Sequence, residues 1–324
     1  MVLRTRWYRE IARLARVSVR VTTYLGGLSP NALVILLAAI VGICSGFTAV
    51  CFTLMLEFSH DLFFGAHEWA LRTDARWYWF LPLVPAIGGL IVGPIIYHFA
   101  REAKGHGVPE VMDAVASHGG RIRGRIVVFK TVASAITIGS GGSAGQEGPI
   151  VQIGAALGST FGRMFQLSSD RLKVLVGCGA AGGISAIFNA PIAGVLFALE
   201  VILGDFRIQT FSPVVISAVL ASVVAQSFLG SAPAFDIPEY TLSAPWELGN
   251  YLVLGALAGV AAVAFIRTLY SFEDFFDQRV KIAPWLKPAV GGLLVGTIAL
   301  VDPGVFGGGY RQIGAALHGD MLVF

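Results

Sequence analysis

The chain has 324 residues, of which 55% are hydrophobic and only 13% are charged, whereas an average soluble domain is about 25% charged. Its net charge of +3 is too small to indicate a nucleic-acid partner. The three cysteines lie in apolar runs, which favours core packing over a disulfide frame or a metal site. This composition predicts an all-α membrane protein whose helices cross the lipid bilayer several times.

The N-terminal region, residues 1–30, is rich in arginine and lacks the apolar core of a signal peptide. Its apolar residues recur at helical spacing, which predicts a basic amphipathic helix on the cytoplasmic face of the membrane. A disordered basic tail is the alternative. Residues 31–324 are predicted to form the transmembrane domain.

Two apolar segments come first in that domain. Asn31–Leu56 is uncharged and longer than the roughly 20 residues that a bilayer span needs. Trp79–Phe99 is the second predicted span, and an acidic loop with Glu57, Asp61 and Glu68 is expected between the two. Basic residues before the first span and after the second place both of these ends inside the cell.

From residue 105 to residue 230 the apolar runs become shorter, and each is bounded by Gly, Pro or Asn. We expect tilted or half-spanning helices whose ends stop inside the protein. The runs are Val111–Ala116, Ile126–Ile138, Ile150–Phe165, Leu172–Ile187, Ile192–Leu203 and Phe211–Leu229. Two longer spans follow at Tyr251–Leu269 and Pro288–Val301, and then a glycine-rich turn that ends at Tyr310.

Three segments repeat one pattern, in which Gly or Asn and then Pro precede an apolar run. The pattern predicts helix starts, where unpaired N–H groups and the helix dipole can hold an anion without a lysine or an arginine. Ordinary caps of membrane helices are the alternative. The segments are Gly105-His106-Gly107-Val108-Pro109-Glu110, Gly145-Gln146-Glu147-Gly148-Pro149 and Phe188-Asn189-Ala190-Pro191.

Glu147 is a carboxylate inside the second of these segments. A carboxylate in the membrane costs about 2.5–3.5 kcal/mol on insertion scales, so it predicts a functional site. At a helix start it acts as a tethered anion that competes with a free one. Protonation makes it neutral and lets it leave, so one residue can serve as gate and as proton acceptor.

The segments GHGVPE, GSGGSAGQEGPIVQIGAALGS and AAGGISAIFNAPIAGVLFALE resemble motifs of the CLC family of chloride channels and proton/chloride exchangers. The resemblance covers roughly residues 30 to 324. It implies a CLC-type fold of two inverted repeats and transport of chloride or a similar monovalent anion, with protons as a further partner. It implies no enzyme activity, no cofactor and no metal.

Several site residues follow from this resemblance. Glu147 matches the gating glutamate of the family, and the N–H groups of Gln146, Glu147 and Gly148 match those around the outer anion site. His106 stands where the family has a serine that faces the central anion, next to Gly107 and Val108. His106 can keep that site and add pH dependence, or it can be a structural histidine, and this change leaves the anion preference open. The residues expected to support the helix starts are Gly105, Pro109, Gly145, Pro149, Asn189 and Pro191.

Val201 marks a second departure from the family. It stands directly after Glu200, where many exchangers carry an inner proton glutamate. Family members that are channels tend to have valine there, so the resemblance favours passive conduction. Proton/chloride antiport by another proton path is the alternative.

The family's second half carries a GxFxP loop and a late tyrosine, and neither is found in this sequence. The resemblance therefore predicts the first half and only the start of the second, as in a truncated or split family member. A half that transports nothing, or a gene remnant, is the alternative. The resemblance also predicts a homodimer with Ile192–Leu203 and Phe211–Leu229 at its interface, in the bacterial inner membrane with the N-terminus in the cytoplasm.

One motif points to a different class of protein. Residues 141–145 read GxSxG with Ser143 at the centre, as in the nucleophile elbow of serine hydrolases. That elbow needs a strand before the serine, whereas Ile126–Ile138 predicts a helix. An intramembrane hydrolase is kept as a remote alternative.

Overall fold

The protein is described by a computed structural model that covers residues 29–73, 75–233, 235, 237–238 and 244–319. Within these residues every regular element is helical. The helices are α1 (Pro30–Thr73), α2 (Leu83–Phe99), α3 (Val108–Ala116), α4 (Arg125–Gly139), α5 (Glu147–Met164), α6 (Ser169–Phe188), α7 (Pro191–Phe197, continued as a π-helix over Ala198–Leu203), α8 (Ile208–Leu229), α9 (Glu247–Asp274, continued over Phe275–Arg279), α10 (Lys287–Ala299) and α11 (Tyr310–His318). The predicted N-terminal amphipathic helix lies outside the described residues.

Five stretches of the described chain are long and apolar enough to cross a membrane. They are Asn31–Gly65, Tyr78–Phe99, Ser169–Phe188, Ile208–Leu229 and Glu247–Arg279. Other helices are too short to cross alone: α3 has 9 residues, which gives about 13 Å at 1.5 Å per residue against a hydrocarbon core of about 30 Å. The expectation of long spans mixed with partial ones is therefore confirmed. The prediction of a longer span at Pro288–Val301 is wrong, because α10 ends at Ala299 and has only 13 residues, about 20 Å of helix.

The acidic loop expected between the first two spans is wrong. Helix α1 continues without a break through Glu57 and Asp61 to Thr73 and has 44 residues, about 66 Å of helix. Residues 57–73 contain no proline and only one glycine, and they are otherwise mostly good helix formers. The polar turns therefore extend the helix past its apolar part instead of ending it.

Close packing of backbones holds the central helices together. Helix α5 packs against α6 so closely that a β-carbon on Gly154 would collide with the Gly179 carbonyl, and one on Gly179 would collide with the Gly154 carbonyl. Helices α1 and α8 meet in the same way, since a β-carbon on Gly42 would lie 2.5 Å from the Ser217 oxygen. Small residues at helix contacts are typical of membrane bundles, where dispersion at short range replaces the hydrophobic effect.

Helices α2 and α10 form a second glycine-mediated pair. A β-carbon on Gly89 would collide with the Pro288 backbone, and one on Gly292 would collide with the Pro85 backbone. This contact joins residues about 200 positions apart in the sequence. It places α10 beside α2, near the loop that leads into α3.

Helix α9 differs from the other spans, because none of its residues is buried. Its apolar side chains, among them Leu252, Val260 and Phe265, are more than two-thirds exposed. In a bilayer such a surface contacts lipid tails or another protein. Only its C-terminal end approaches the loop before α3, where Lys104 bonds to Asp277.

Candidate functional site

The three expected helix starts are present in the structure. Helix α3 begins at Val108, after Gly107 with a φ of +99°, a backbone conformation that favours glycine. Helix α5 begins at Glu147 and α7 begins at Pro191. Each therefore presents first-turn N–H groups that have no partner within the helix.

Two of these starts meet back to back. A β-carbon on Gly107 would collide with the Gly148 carbonyl, and one on Gly148 would collide with the His106 carbonyl. Both positions therefore need glycine. The contact brings the positive ends of the α3 and α5 dipoles together, so the electrostatic effects of the two ends add.

Glu147 is the first residue of α5. Its carboxylate folds back over Gly145, where any β-carbon would overlap it. The hydroxyl of Tyr310, the first residue of α11, donates a hydrogen bond to Glu147 Oε1. The side chain is thus turned away from its own helix and held by an element 163 residues later in the chain.

Glu110 occupies an equivalent position at the start of α3. The Gly107 N–H donates to Glu110 Oε2 over 2.6 Å, and the same carboxylate lies over Gly105. The amide that the sequence assigned to a free anion at Gly107 is therefore bonded to a side chain of its own helix. The role of Gly107 and Val108 in anion binding stays a prediction.

Lys130 supports the same loop from behind. The side chain is only 5% exposed, and its Nζ donates to the Ala103 carbonyl over 3.0 Å and to the Gly105 carbonyl over 2.9 Å. A buried ammonium is retained only where such acceptors compensate for its lost water. No motif in the sequence predicts this role of Lys130, and the one signal is a lone lysine in the apolar run of α4.

His106 contacts helix α9 rather than the interior of the bundle. Its Nε2 lies 3.4 Å from Glu273 Oε2, and its ring lies 6.3 Å from the ring of Tyr270. The Nε2 nitrogen of His106 therefore faces a carboxyl group of the protein itself. Its assignment as a ligand of a free anion therefore stays a prediction, with Glu273 as an additional neighbour.

A cavity of about 1050 Å³ joins these groups. Its wall includes Glu147, the His106–Glu273 pair, Lys130 and Thr137. Of the predicted site residues, those that line it are Gly105, His106, Gly145, Glu147, Gly148 and Pro149. A single cavity therefore reaches both the carboxylate at the start of α5 and the His106–Glu273 pair.

The third helix start is used differently. Asn189, with a φ of +51°, donates to the Ser231 carbonyl over 2.8 Å and accepts from the side chains of Ser222 and Gln226. Its amide therefore fastens the start of α7 to the end of α8. Neither Asn189 nor Pro191 lines the cavity that contains Glu147, and their role at an anion-binding helix start stays a prediction.

Val201 lines a different cavity, of about 630 Å³. Glu200, Asp113, Lys173 and Arg207 share its wall. The position at which many exchangers carry an inner proton glutamate thus borders a charged recess, but the side chain at that position is apolar.

Ser143 lies in the loop between α4 and α5. The element before it is the helix Arg125–Gly139, so the strand that a nucleophile elbow requires is not formed at this place. The structure at Ser143 therefore does not support the remote alternative of an intramembrane hydrolase. Among the described residues no group of three or more His, Cys, Asp or Glu side chains is arranged to hold a metal ion.

Charged groups near the ends of the short helices form compact networks. Asp205 accepts hydrogen bonds from the Arg207 guanidinium, the Arg207 N–H and the Thr210 hydroxyl, over 2.8–3.0 Å. The hydrogen bond from the Arg207 side chain is the main reason why the pKa of Asp205 is lowered to about 2. Glu102 accepts from Arg123 and Arg125 in a similar cluster.

Comparison with known proteins identifies the family to which the chain belongs. The sequence profile described as voltage gated chloride channel matches residues 88–324. The chain belongs to this family. Two relatives share about a third of its residues: a ClcB-like chloride channel protein of Ralstonia nicotianae, 31% identical over 88% of this chain, and the H(+)/Cl(-) exchange transporter ClcA of Salmonella arizonae, 32% identical over 90% of it.

The solved structure of a slow cyanobacterial Cl⁻/H⁺ antiporter has the same fold, with a TM-score of 0.77 over 90% of this chain at 21% identity. The chain spans 68% of that structure. It also spans 68% of the Ralstonia relative and 63% of the Salmonella relative. The apolar helices and the family together make this chain part of an integral, multi-pass membrane protein.

Proposed function

We propose that this chain forms an anion pathway for chloride or a similar monovalent ion, with Glu147 as its gate. The observation that carries the proposal is the meeting of two helix starts at Gly107 and Gly148. Their dipoles favour an anion, and the Glu147 carboxylate lies next to them as the competing anion. Backbone amides at a helix start suit an anion inside a membrane, because they bind it without a fixed cation.

The experiment compares chloride efflux and proton uptake in liposomes that contain the purified chain. We expect efflux to rise as the pH falls, because a protonated Glu147 no longer competes for the amides. Glu147→Gln should keep a high efflux that hardly changes with pH. The control is Glu247→Gln, since Glu247 also stands at a helix start but in α9, and it should behave like the unmodified chain.

Two results would contradict this proposal. One is a Glu147→Gln variant with an unchanged pH dependence, which would remove Glu147 from the gate. The other is no efflux at all from correctly inserted protein, which would favour a half that transports nothing by itself. Full efflux in a Ser143→Ala variant would in addition show that transport needs no nucleophile at Ser143.

Passive conduction is the mode we propose, because Val201 cannot bind a proton at the inner position. Chloride loss without linked proton movement is then expected. His106 is proposed to contribute to the central anion site, with Gln146 and Gly148 at the outer one. The orientation with a cytoplasmic N-terminus and the bacterial inner membrane belong to the same proposal.

Proton/anion exchange is the second candidate, and a specific observation favours it. The cavity that contains Glu147 also contains the His106–Glu273 pair, which can bind protons although Val201 cannot. A relative with about a third of the residues in common is named as an H(+)/Cl(-) exchange transporter. Protons that move opposite to chloride in the paired assay would decide for this mode.

A homodimer is proposed with α7 and α8 at its interface. Both helices expose large apolar side chains, including Ile192 and Ile208, which are 77% and 79% exposed. Light scattering in detergent at several concentrations should give twice the mass of one chain. A monomeric mass at all concentrations would contradict the assembly without affecting the proposed pathway.

A further inference from the structure

A glycine-rich turn before α11 is hydrogen-bonded to the loop that precedes Glu147. The Gly307 N–H donates to the Gly142 carbonyl over 3.2 Å, and the Phe306 ring covers Gly141 at about 3.0 Å from where a β-carbon would lie. Gly307 and Gly309 have φ values of +69° and +73°, a conformation that glycine adopts without strain. The turn is therefore built to approach the loop before α5 closely.

The same turn fixes the position of the Tyr310 ring. Its centroid lies 5.7 Å from the ring of Phe235 and 6.3 Å from the ring of Phe188, within the range of favourable aromatic pairs. Phe188 is the last residue of α6, directly before the third helix start. Because the ring is held on two sides, its hydroxyl has a defined place, and at that place it donates to Glu147 Oε1.

We propose that Tyr310 is a positioning residue for the gate, which holds the ionised Glu147 carboxylate away from the backbone amides at the start of α5. This inference rests on the proposed function of Glu147 as a tethered anion. The hydroxyl gives the carboxylate a partner outside the anion site, and a hydrogen bond to an ionised acceptor is stronger than one between neutral groups. The amides are thereby open to a free anion in a larger share of the molecules, and in the remainder Glu147 still competes for them.

Loss of the hydroxyl has a defined consequence. In Tyr310→Phe the carboxylate keeps its charge at neutral pH but loses its partner, so it turns to the first-turn N–H groups of α5 and competes there. The apparent affinity for a free anion is then reduced to the intrinsic affinity multiplied by the fraction of molecules in which the amides remain free. At acid pH Glu147 is neutral and does not compete, so the variant and the unmodified chain should agree.

Other charged groups of the same cavity stay unchanged in this comparison. Lys104 and Lys287 approach Asp277, His106 faces Glu273, and Lys130 is bonded to two carbonyl groups. These groups are present in both proteins. A difference between the unmodified chain and Tyr310→Phe therefore reports the hydroxyl alone.

The test measures bromide binding by titration calorimetry, together with chloride efflux, for the full chain at neutral and at acid pH. We expect Tyr310→Phe to weaken bromide binding at neutral pH by about tenfold, the size expected for one hydrogen bond to a charged group, and to leave binding at acid pH unchanged. In the Glu147→Gln background the same substitution should have no effect. The matched control is Tyr78→Phe, which removes a hydroxyl that donates to the Leu300 carbonyl over 2.8 Å.

Binding separates this inference from the proposed function. A chain that binds bromide, responds to Tyr310→Phe as expected and yet shows no efflux would support the positioning role and contradict transport by this chain. Equal bromide affinity in the unmodified chain and Tyr310→Phe at neutral pH would overturn the role of Tyr310. The role of Tyr310 would also be overturned if Tyr310→Phe weakened bromide binding equally in the Glu147→Gln background. Such a result would show that the tyrosine stabilises the fold and does not act through Glu147.

Discussion

Gly107 and Gly148 lie at the contact between two helix starts: a β-carbon on Gly107 would collide with the Gly148 carbonyl, and one on Gly148 would collide with the carbonyl of His106, the residue before Gly107. Gly107 ends the loop before α3 and Gly148 is the second residue of α5. A methyl group at either position would overlap these backbone atoms and push the two helix starts apart. The close contact of the two helix starts at the candidate anion site therefore requires glycine at both positions.

The first prediction concerns this contact. Gly148→Ala places a methyl group against the His106 carbonyl, and Gly107→Ala adds the strain of a positive φ. We expect each variant to lose about 1–3 kcal/mol of stability, as for other overpacked sites. Thermal unfolding in detergent, followed by size-exclusion chromatography, measures the loss.

A glycine without neighbours provides the matched control. Gly255 lies in α9, where a β-carbon would meet nothing within 4 Å. Gly255→Ala should therefore be neutral or slightly stabilising, since alanine favours a helix by about 0.5–1 kcal/mol. If Gly148→Ala unfolded at the same temperature as Gly255→Ala, the described contact between the helix starts would be wrong.

The second prediction concerns the buried ammonium of Lys130. Lys130→Met keeps the length of the side chain but leaves the Ala103 and Gly105 carbonyls without their donor. We expect a loss of about 2 kcal/mol, because unpaired buried polar groups cost about 1–3 kcal/mol, and a weaker binding of bromide because a positive charge behind the α3 start is removed. Lys281→Met, at an exposed position, is the control and should change neither quantity.

The third prediction separates the two modes of transport. Glu273→Gln keeps a polar group beside His106 but cannot give up or take up a proton. If the chain exchanges anions for protons, this variant should lose proton uptake and keep chloride efflux in the paired liposome assay. Glu57→Gln on α1 serves as the control for a carboxylate outside the cavity wall. Linked proton uptake that survives in Glu273→Gln would remove the His106–Glu273 pair from the proton path.

The sequence predicted the helix starts because their signals are local. Glycine and proline at fixed positions before an apolar run are enough to place the beginnings of α3, α5 and α7. The composition also indicated long spans mixed with short ones. The prediction of an acidic loop is wrong, because charged residues do not end a helix by themselves and no proline interrupts α1 between Glu57 and Thr73.

The partners of the site could not be predicted in the same way. Tyr310 lies 163 residues after Glu147, and Glu273 lies 167 residues after His106, so no spacing rule connects them. Lys130 offered a weak signal as a lone charge in an apolar helix. Its two acceptors, however, are the main-chain carbonyls of Ala103 and Gly105, and every residue has such a carbonyl, so residue type does not reveal them.

The last prediction uses the ion pair that precedes α8. The bonds from Arg207 lower the pKa of Asp205 to about 2, below its value of about 3.9 in an unfolded chain. A carboxyl group with a lowered pKa stabilises the fold above the unfolded pKa, and this contribution disappears as the pH falls from about 4 to about 2. Because the Asp205 side chain is 23% exposed and that of Arg207 is 76% exposed, solvent screening keeps this contribution small. Asp205→Asn should therefore lower the unfolding temperature at pH 7, and the difference from the unmodified chain should shrink near pH 3, while the exposed control Asp61→Asn should show neither effect. A difference of the same size at both pH values would mean that the shape of the side chain, and not its charge, stabilises the start of α8.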